Sequence, residues 1–394
     1  MSGIAGTATL LVGLLGVAVL VALVAERLHV PSAVALIAFG AGTAAIRPLP
    51  LPFHFGDVLL FVFLPPLIFE AAWAIDPAAL RRTALRIALL ALPGVVLVAG
   101  AIGLGISLSG QLPLASAVVL GAIVSATDPV AVIAIFRRLR LPVDLLTIVE
   151  GESIANDGVA IVLYALALTF AAGAPGSLSA ASVHAVVAIA GGCAIGVACA
   201  FVVALVMGRT RSGPLEISAT VVLAFLAYLG ADAVGCSGVF ATASAGIALR
   251  AFARIAPVTE NADDVDTFWS AIAFIANAMV FLATGLVLQV SRIADHPLLA
   301  AVAIVAVVAS RVLLAALVVR PLTWAVTFVF AGMRGGLSLA LALALPATLA
   351  SRAEIVDAVF AVVLFTVLVQ GIALEPLLVR LGFQSGSGGP SLSS

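Results

Sequence analysis

Acidic and amide side chains crowd one stretch of the chain that is otherwise apolar enough to lie inside a membrane. The stretch reads Glu150-Gly-Glu-Ser-Ile-Ala-Asn-Asp-Gly-Val159 and holds three carboxylates and one carboxamide. An ionised side chain at the middle of a bilayer costs about 2.5–3.5 kcal/mol on insertion scales, so such groups usually face a pathway or a buried partner. This stretch therefore predicts a pathway for a cation.

Helix geometry divides these side chains between two faces. At about 100° per residue, Glu150, Ser153 and Asp157 share one stripe, whereas Glu152 lies about 140° around the helix from Asp157. Asp157 and Ser153 are suited to bind an ion. Glu152 is suited to a buried ion pair, because a lone buried charge is much more costly than a matched one, and Arg334 is the obvious cation.

Glu150 and Asn156 complete the polar set of this predicted helix. Glu150 lies nearer the helix end, where it either draws cations into a cytoplasmic funnel or is a solvated helix-end glutamate. Asn156 can orient or hydrogen-bond the ion site without adding charge. The sequence leaves both interpretations of Glu150 open.

Two other spans carry a charge beside residues that interrupt helices. In Ser125-Ala-Thr-Asp-Pro129 the proline lacks an N–H and disfavours α geometry at Asp128, which predicts a break around 127–129. Freed carbonyls, that of Thr127 among them, can then face a cation, while Asp128 offsets the positive ends of half-helices. In Ala331-Gly-Met-Arg-Gly-Gly336 the glycines around Arg334 allow unwinding and a close approach. The alternatives are an ordinary proline kink with a snorkelling aspartate, and a glycine-rich helix contact whose arginine reaches the surface.

Composition places the whole chain in a membrane. Of 394 residues, 64% are apolar and only 9% are charged, and the mean hydropathy is +1.31. A chain this apolar cannot close a single water-facing core. We therefore predict an all-α polytopic membrane protein.

Windows of about 20 apolar residues define the predicted spans. Thirteen such windows lie between charged or Pro/Gly-rich breaks, near 4–25, 31–46, 57–75, 84–108, 113–136, 145–173, 179–208, 215–233, 235–249, 265–289, 297–319, 321–347 and 354–379.

Arginine placement predicts the orientation, because cytoplasmic loops are enriched in basic residues. With the N-terminus outside and the C-terminus in the cytoplasm of a cell (inner) membrane, only Arg47, Arg292 and Arg352 lie outside. The cytoplasmic segments and span ends then hold Arg27, Arg81, Arg82, Arg86, Arg137, Arg138, Arg140, Arg209, Arg211, Arg250, Arg254, Arg320 and Arg380.

A weak internal repeat joins the two halves of the chain. The segment 31–38 aligns with 236–243 at an offset of 205, and the same offset carries Asp128 to the residue before Arg334. The offset crosses an odd number of spans, so the halves are predicted to be inverted in the membrane. Inverted repeats with interrupted helices at corresponding places are typical of secondary transporters.

Four segments together resemble the monovalent cation/proton antiporters, in their prokaryotic, electroneutral sodium/proton exchanger branch. The segments are Phe63-Leu-Pro-Pro-Leu-Ile-Phe-Glu70, Ser125-Ala-Thr-Asp-Pro129, Val149-Glu-Gly-Glu-Ser-Ile-Ala-Asn-Asp-Gly158 and Gly332-Met-Arg-Gly335. The resemblance runs along essentially the whole chain. One departure is Ala-Gly-Met before Arg334, where many relatives have an aromatic residue and two glycines before Leu-Arg.

The resemblance implies roles for individual residues. Asp157 would be the essential ion ligand, assisted by Glu70, Ser153 and the carbonyl of Thr127. Asp128 would be the aspartate of the broken helix, and Glu152 and Arg334 would form the structural pair. Asn156 stands where the electrogenic branch has a second aspartate, which favours exchange of one proton for one Na⁺, Li⁺ or K⁺. Considered without the family, Glu70 could instead pair with Arg311, for which Asp232 is a second candidate.

The resemblance also implies a homodimer of thirteen-helix subunits. Within residues 1–380, the core would comprise about 84–173 and 297–379, and the dimerisation helices would come from about 4–75 and 215–289. Residues 381–394 are predicted to be a short disordered tail. The sequence has no P-loop, GxGxxG or zinc spacing, so neither an enzyme, a cofactor nor a nucleic-acid partner is predicted. A cation channel and a K⁺ efflux-type transporter are the alternative functions.

Overall fold

The computed structural model describes residues 3–28, 30–46, 58–173, 178–209, 212–255, 261–288 and 293–383, and these are almost entirely helical. Most of the predicted tail, 384–394, lies outside the described residues. So do Arg47, Arg211 and Arg292 of the orientation argument.

The first half of the chain supplies the acidic helix and the helices around it. They are α1 (Gly3–Arg27), α2 (Ser32–Ile46), α3 (Leu64–Ala74, after the π-helical turn Leu59–Phe63), α4 (Pro77–Ala91), α5 (Pro93–Leu108), α6 (Leu114–Ser125), α7 (Val130–Arg138) and α8 (Val143–Ala171). Proline opens α4 and α5, where its missing N–H has no helical partner to lose. Asp76 caps α4 by accepting hydrogen bonds from the backbone N–H groups of Ala78 and Ala79.

The second half supplies the remaining nine described helices. It comprises α9 (Leu178–Met207), α10 (Gly213–Ala233), α11 (Gly238–Ile255), α12 (Ala262–Val287), α13 (Pro297–Val318), α14 (Leu322–Ala331), α15 (Gly336–Leu343), α16 (Arg352–Phe365) and α17 (Gly371–Arg380, after the π-helical turn Thr366–Gln370).

The predicted fold class is confirmed, but the count of thirteen spans is not. Eight helices among the described residues are long and apolar enough to cross a membrane, or nine if the bent pair α14–α15 is one span. Shorter apolar helices, α2, α3, α6 and α11, account for others of the predicted windows. The predicted window 84–108 begins earlier, at Pro77, because Asp76 caps a helix there.

Both predicted helix breaks are present. Helix α6 ends at Ser125 and α7 begins at Val130, so residues 126–129 are not helical. Helices α14 and α15 are bent by 43° across residues 332–335. The breaks meet, because the backbone N–H of Asp128 donates to the carbonyl of Met333 at 2.8 Å.

The predicted repeat is also visible in the packing. At the offset of 205, α2 corresponds to α11 and α3 to α12. The related pairs α2–α12 and α3–α11 each pack closely. In the first, Gly40 lies on the backbone of Gly285; in the second, Gly246 lies on the backbone of Phe69. Small residues let helix backbones approach in this way.

Candidate ion-binding site

Asp128 lies at the N-terminal ends of the crossed half-helices, and Arg334 lies at their C-terminal ends. The Oδ1 atom of Asp128 accepts the backbone N–H of Val130 at 3.0 Å, at the start of α7. Its Oδ2 atom lies against Gly335, at the start of α15, where a Cβ would overlap it. A carboxylate therefore faces two helix N-termini, where the backbone dipoles are positive. The expectation that Asp128 offsets positive half-helix ends agrees with this geometry.

Arg334 donates hydrogen bonds to backbone carbonyls at the C-terminal ends of α6 and α14. Its Nε donates to the carbonyl of Val124 at 2.9 Å, near the end of α6, and its Nη1 donates to the carbonyl of Gly332, after α14. The Oγ of Ser338 donates to the carbonyl of Ile123 at 3.0 Å. Carbonyls left free by the breaks thus obtain donors inside the protein, as backbone groups at membrane depth require.

A cavity of about 90 Å³ lies beside the crossing, and we call it the ion cavity. Its polar lining consists of Thr127, Asp128, Ser153, Asp157, Asn277 and Ser338. This volume is enough for a small cation and some water. Of the stripe predicted on α8, Ser153 and Asp157 line this cavity, whereas Glu150 does not.

Asp157 has an unsatisfied carboxylate. Its Oδ1 atom is buried and has no hydrogen-bond partner among the described residues. Ser153 is held in place, because its Oγ donates to the carbonyl of Thr127 at 2.6 Å. A buried carboxylate without a partner is costly. A proton or a cation at Asp157 would remove that cost.

The predicted pair between Glu152 and Arg334 is wrong. Glu152 accepts two hydrogen bonds from Arg311, at 2.7 Å and 3.2 Å. Both side chains are buried, at 1% and 3% exposure, and Arg311 stacks on the ring of Phe328. Arg334 is instead occupied with the backbone carbonyls of the two broken helices. Arg311 also pairs with neither Glu70 nor Asp232, and Asp232 is exposed.

Asn156 supports the break and does not line the ion cavity. Its Nδ2 atom lies 3.1 Å from the carbonyl of Ser125, 3.1 Å from Oγ1 of Thr127 and 3.2 Å from Oε1 of Glu152. It was predicted both as a member of the ion-binding set and as an orienting group. The structure favours the orienting role, because the amide joins α8 to the non-helical residues.

Glu70 lies away from the ion cavity. The residues of α3 that line this cavity are Leu64, Leu67, Ile68 and Ala71. At about 100° per residue, Glu70 projects from the helix about 110° away from the centre of that face. Its carboxylate is close enough to interact electrostatically with Arg137 and Glu150. In this structure, therefore, Glu70 does not join the predicted ligand set of Asp157, Ser153 and Thr127.

Glu150 is a buried partner of Arg137. Its side chain is only 3% exposed, and its Oε1 accepts a hydrogen bond from Arg137 at 3.0 Å. The interpretation as a solvated glutamate is therefore wrong. Glu150 is also absent from the lining of the ion cavity.

Comparison with known proteins decides the family. The sequence model of the family "Sodium/hydrogen exchanger, transmembrane" matches residues 15–380. The chain belongs to the sodium/hydrogen exchanger family. The resemblance carried by the four segments is thus confirmed.

Two curated relatives of this exchanger-family chain match along most of its length. It is 34% identical over 383 residues to the Na(+)/H(+) antiporter ApNhaP of Aphanothece halophytica, covering 93% of this chain and 73% of that protein. It is 32% identical over 390 residues to the Na(+)/H(+) antiporter NhaH of Halobacillus dabanensis, covering 94% and 96%.

A solved structure shares the fold. The sodium proton antiporter MjNhaP1 from Methanocaldococcus jannaschii, solved at pH 8, superposes with a TM-score of 0.82. The identity is 20%, and the match covers 96% of the exchanger-family chain and 99% of that chain.

Sequence reasoning missed two polar residues of the ion cavity, Asn277 and Ser338. Asn277 of α12 is a single carboxamide between Ala276 and Ala278 in an apolar span, and it lines the cavity. A polar residue in the middle of a span was a signal that could have found it. Arg311 was noticed as a mid-span charge, but its partner could not be assigned from spacing.

Proposed function

We propose that this chain exchanges protons for a monovalent cation, Na⁺ first among Na⁺, Li⁺ and K⁺, by competition at Asp157. The observation that carries the proposal is the side chain of Asp157, which lines the ion cavity and whose buried Oδ1 has no partner among the described residues. A proton and a cation cannot occupy this carboxylate together. If the site opens to one side of the membrane at a time, the proton gradient can drive the cation in the opposite direction, and the cation gradient can drive the proton. The names of the relatives support the same exchange.

Around Asp157, the proposed cation ligands are Ser153 Oγ and the Thr127 carbonyl, with Asp128 as a fixed charge. Asp128 already serves two helix N-termini, and Asn156 carries no charge. Asp157 is then the carboxylate of the cavity that can change its occupant. One proton would therefore be exchanged for one cation, without net charge movement. Glu70 would join only in a conformation that turns α3.

The proposed setting is a cell (inner) membrane, with the N-terminus outside and the C-terminus in the cytoplasm, following the arginine distribution. Helices α4–α8 and α13–α17 would form the core, and α1–α3 and α10–α12 would form the dimerisation group of a homodimer. Exposed apolar side chains along α1, such as Val12, Leu20 and Leu23, need lipid or a second copy against them. Cross-linking between α1 cysteines in membranes would test the dimer.

Competition can be measured directly in proteoliposomes. With a pH-sensitive dye inside, the initial rate of exchange is followed against Na⁺, Li⁺ and K⁺ at several pH values. We expect the apparent KM of the cation to rise as the pH falls, while the rate at saturating cation stays constant. A constant KM with a falling maximal rate would show that proton and cation use separate sites.

A further inference from the structure

A second, larger cavity of about 570 Å³ leads toward the ion cavity. We call it the vestibule. It lies between α1, α2, α7, α12 and α17, and charged side chains are found among its lining: Glu26, Arg138 and Glu375. Arg138 and Glu375 form an ion pair and remain 51% and 36% exposed. These three residues therefore mark the outer end of the vestibule.

The two cavities share two lining residues, Val130 and Asn277. Val130 begins α7, and its backbone N–H is bound by the carboxylate of Asp128. Asn277 approaches from α12, which packs most extensively on α2. The shortest route for a cation from the vestibule to Asp157 would therefore pass beside Val130 and Asn277.

Asn277 is the one of these two shared lining residues that has a polar side chain. Within the described residues its carboxamide makes no hydrogen bond, although its neighbours Ala276 and Ala278 are buried. A side-chain carbonyl oxygen is a common ligand for hard cations. Because the Asn277 carboxamide carries no charge, its oxygen can replace a water of hydration around the cation and still release the cation, as conduction between sites requires.

We propose that Asn277 is a cation ligand between the vestibule and Asp157, and that it takes part in setting cation affinity and selectivity. The proposal rests on the proposed exchange and extends it to a residue outside the four family segments. Asn277 and Asp157 stand on helices with different main neighbours, since α8 packs chiefly on α4 and α6. Asn277 would thus meet the cation only while the core faces the vestibule.

The first test compares Asn277→Ala with Ser270→Ala. Ser270 lies about two turns away on α12 and is exposed, so it is a matched control. We expect Asn277→Ala to raise the apparent KM for Na⁺ about tenfold, the size of one lost polar ligand, and to change the ratio of Na⁺ to K⁺ rates. The maximal Na⁺ rate should stay within about twofold of wild type, because Asp157 remains in place. Unchanged KM and selectivity, or a lower maximal rate at constant KM, would overturn the proposal.

The second test does not depend on exchange. Cys193, Cys199 and Cys236 are replaced by Ala, and Asn277→Cys is treated with a small cationic thiol reagent, with Glu26→Cys as the control at the outer end. We expect both cysteines to react from the vestibule side and Na⁺ to slow the reaction only at position 277. Reaction at 26 without reaction at 277 would show that the passage does not exist.

Adding Asp157→Asn to the Asn277→Cys variant separates the two proposals. The reagent should still react, because the passage does not need Asp157, although exchange is lost. If Na⁺ protects position 277 of the Asn277→Cys variant while the protein with both Asp157 and Asn277 intact shows no exchange, cation binding at position 277 stands and the proposed exchange fails. If exchange is normal and Na⁺ never protects position 277, the exchange stands and the role of Asn277 fails.

Discussion

Glu152 and Arg311 form a two-point ion pair between α8 and α13, with N–O distances of 2.7 Å and 3.2 Å. Neither residue lines the ion cavity, and Glu152 lies about 140° around α8 from Asp157. Gly332 makes room for the pair, because a Cβ at that position would lie 2.6 Å from Nε of Arg311. The second helix break therefore contributes to the pair through Gly332, which leaves space for the Arg311 side chain. The Arg334 side chain of the same break instead donates hydrogen bonds to backbone carbonyls.

This pair should dominate local stability. Glu152→Gln or Arg311→Gln alone should lower the free energy of unfolding by about 3–5 kcal/mol, because each leaves a buried charge unmatched. The double variant should be less harmful than the sum of the two. Thermal unfolding of the purified protein in detergent measures all three.

The matched control is the cycle of Glu152→Gln with Arg334→Gln. Arg334 bonds to carbonyls, so this cycle should show clearly weaker coupling than the first. Stronger coupling of Glu152 to Arg334 than to Arg311 would contradict the observed pairing.

Asp157→Asn should abolish cation-dependent proton movement while the protein still inserts and folds. The amide cannot exchange a proton for a cation, yet it keeps the shape of the side chain. Dye-monitored exchange in proteoliposomes and size-exclusion chromatography give the two readouts. Cation-dependent proton movement that survives in this variant would remove Asp157 from the mechanism.

Gly335→Ala should stop exchange by displacing Asp128. A Cβ at Gly335 would overlap the Asp128 carboxylate, so that group must leave the start of α15. Overpacking of this kind also costs about 1–3 kcal/mol of stability. The control is Gly100→Ala on α5, where a Cβ meets nothing within 4 Å; exchange rates that fall equally in both variants would argue against a specific seat for Asp128.

Exchange should move no net charge. If Asp157 alone changes its occupant, the rate and end point of Na⁺ exchange should not respond to a membrane potential of either sign, imposed with potassium and valinomycin. A potential-dependent end point would require a second titrating group. Glu70→Gln would then be the first variant to examine, because Glu70 lies close to the Glu150–Arg137 pair.

Much of the candidate site could be predicted because it depends on local rules. Proline at 129 and the glycines around Arg334 interrupt helices wherever those helices pack, and both breaks are found where they were expected. Ser153 and Asp157 share a face because four residues complete about one helical turn. Asn277 was missed because a lone amide in an apolar span signals a pathway or a buried partner without indicating which other helices it meets.

The sequence by itself determined the membrane class, the two breaks, the weak repeat at an offset of 205 and the separation of Glu152 from Asp157. Only the tertiary structure decided which charges meet. Arg311 and Arg334 are both mid-span arginines, and helical periodicity cannot distinguish them as partners for Glu152. The choice depends on the rotation and depth of α13 against α8, and on the free carbonyls that hold Arg334. The same packing leaves Glu70 outside the lining of the ion cavity and brings Asn277 into it, because contacts between distant helices depend on how those helices pack together.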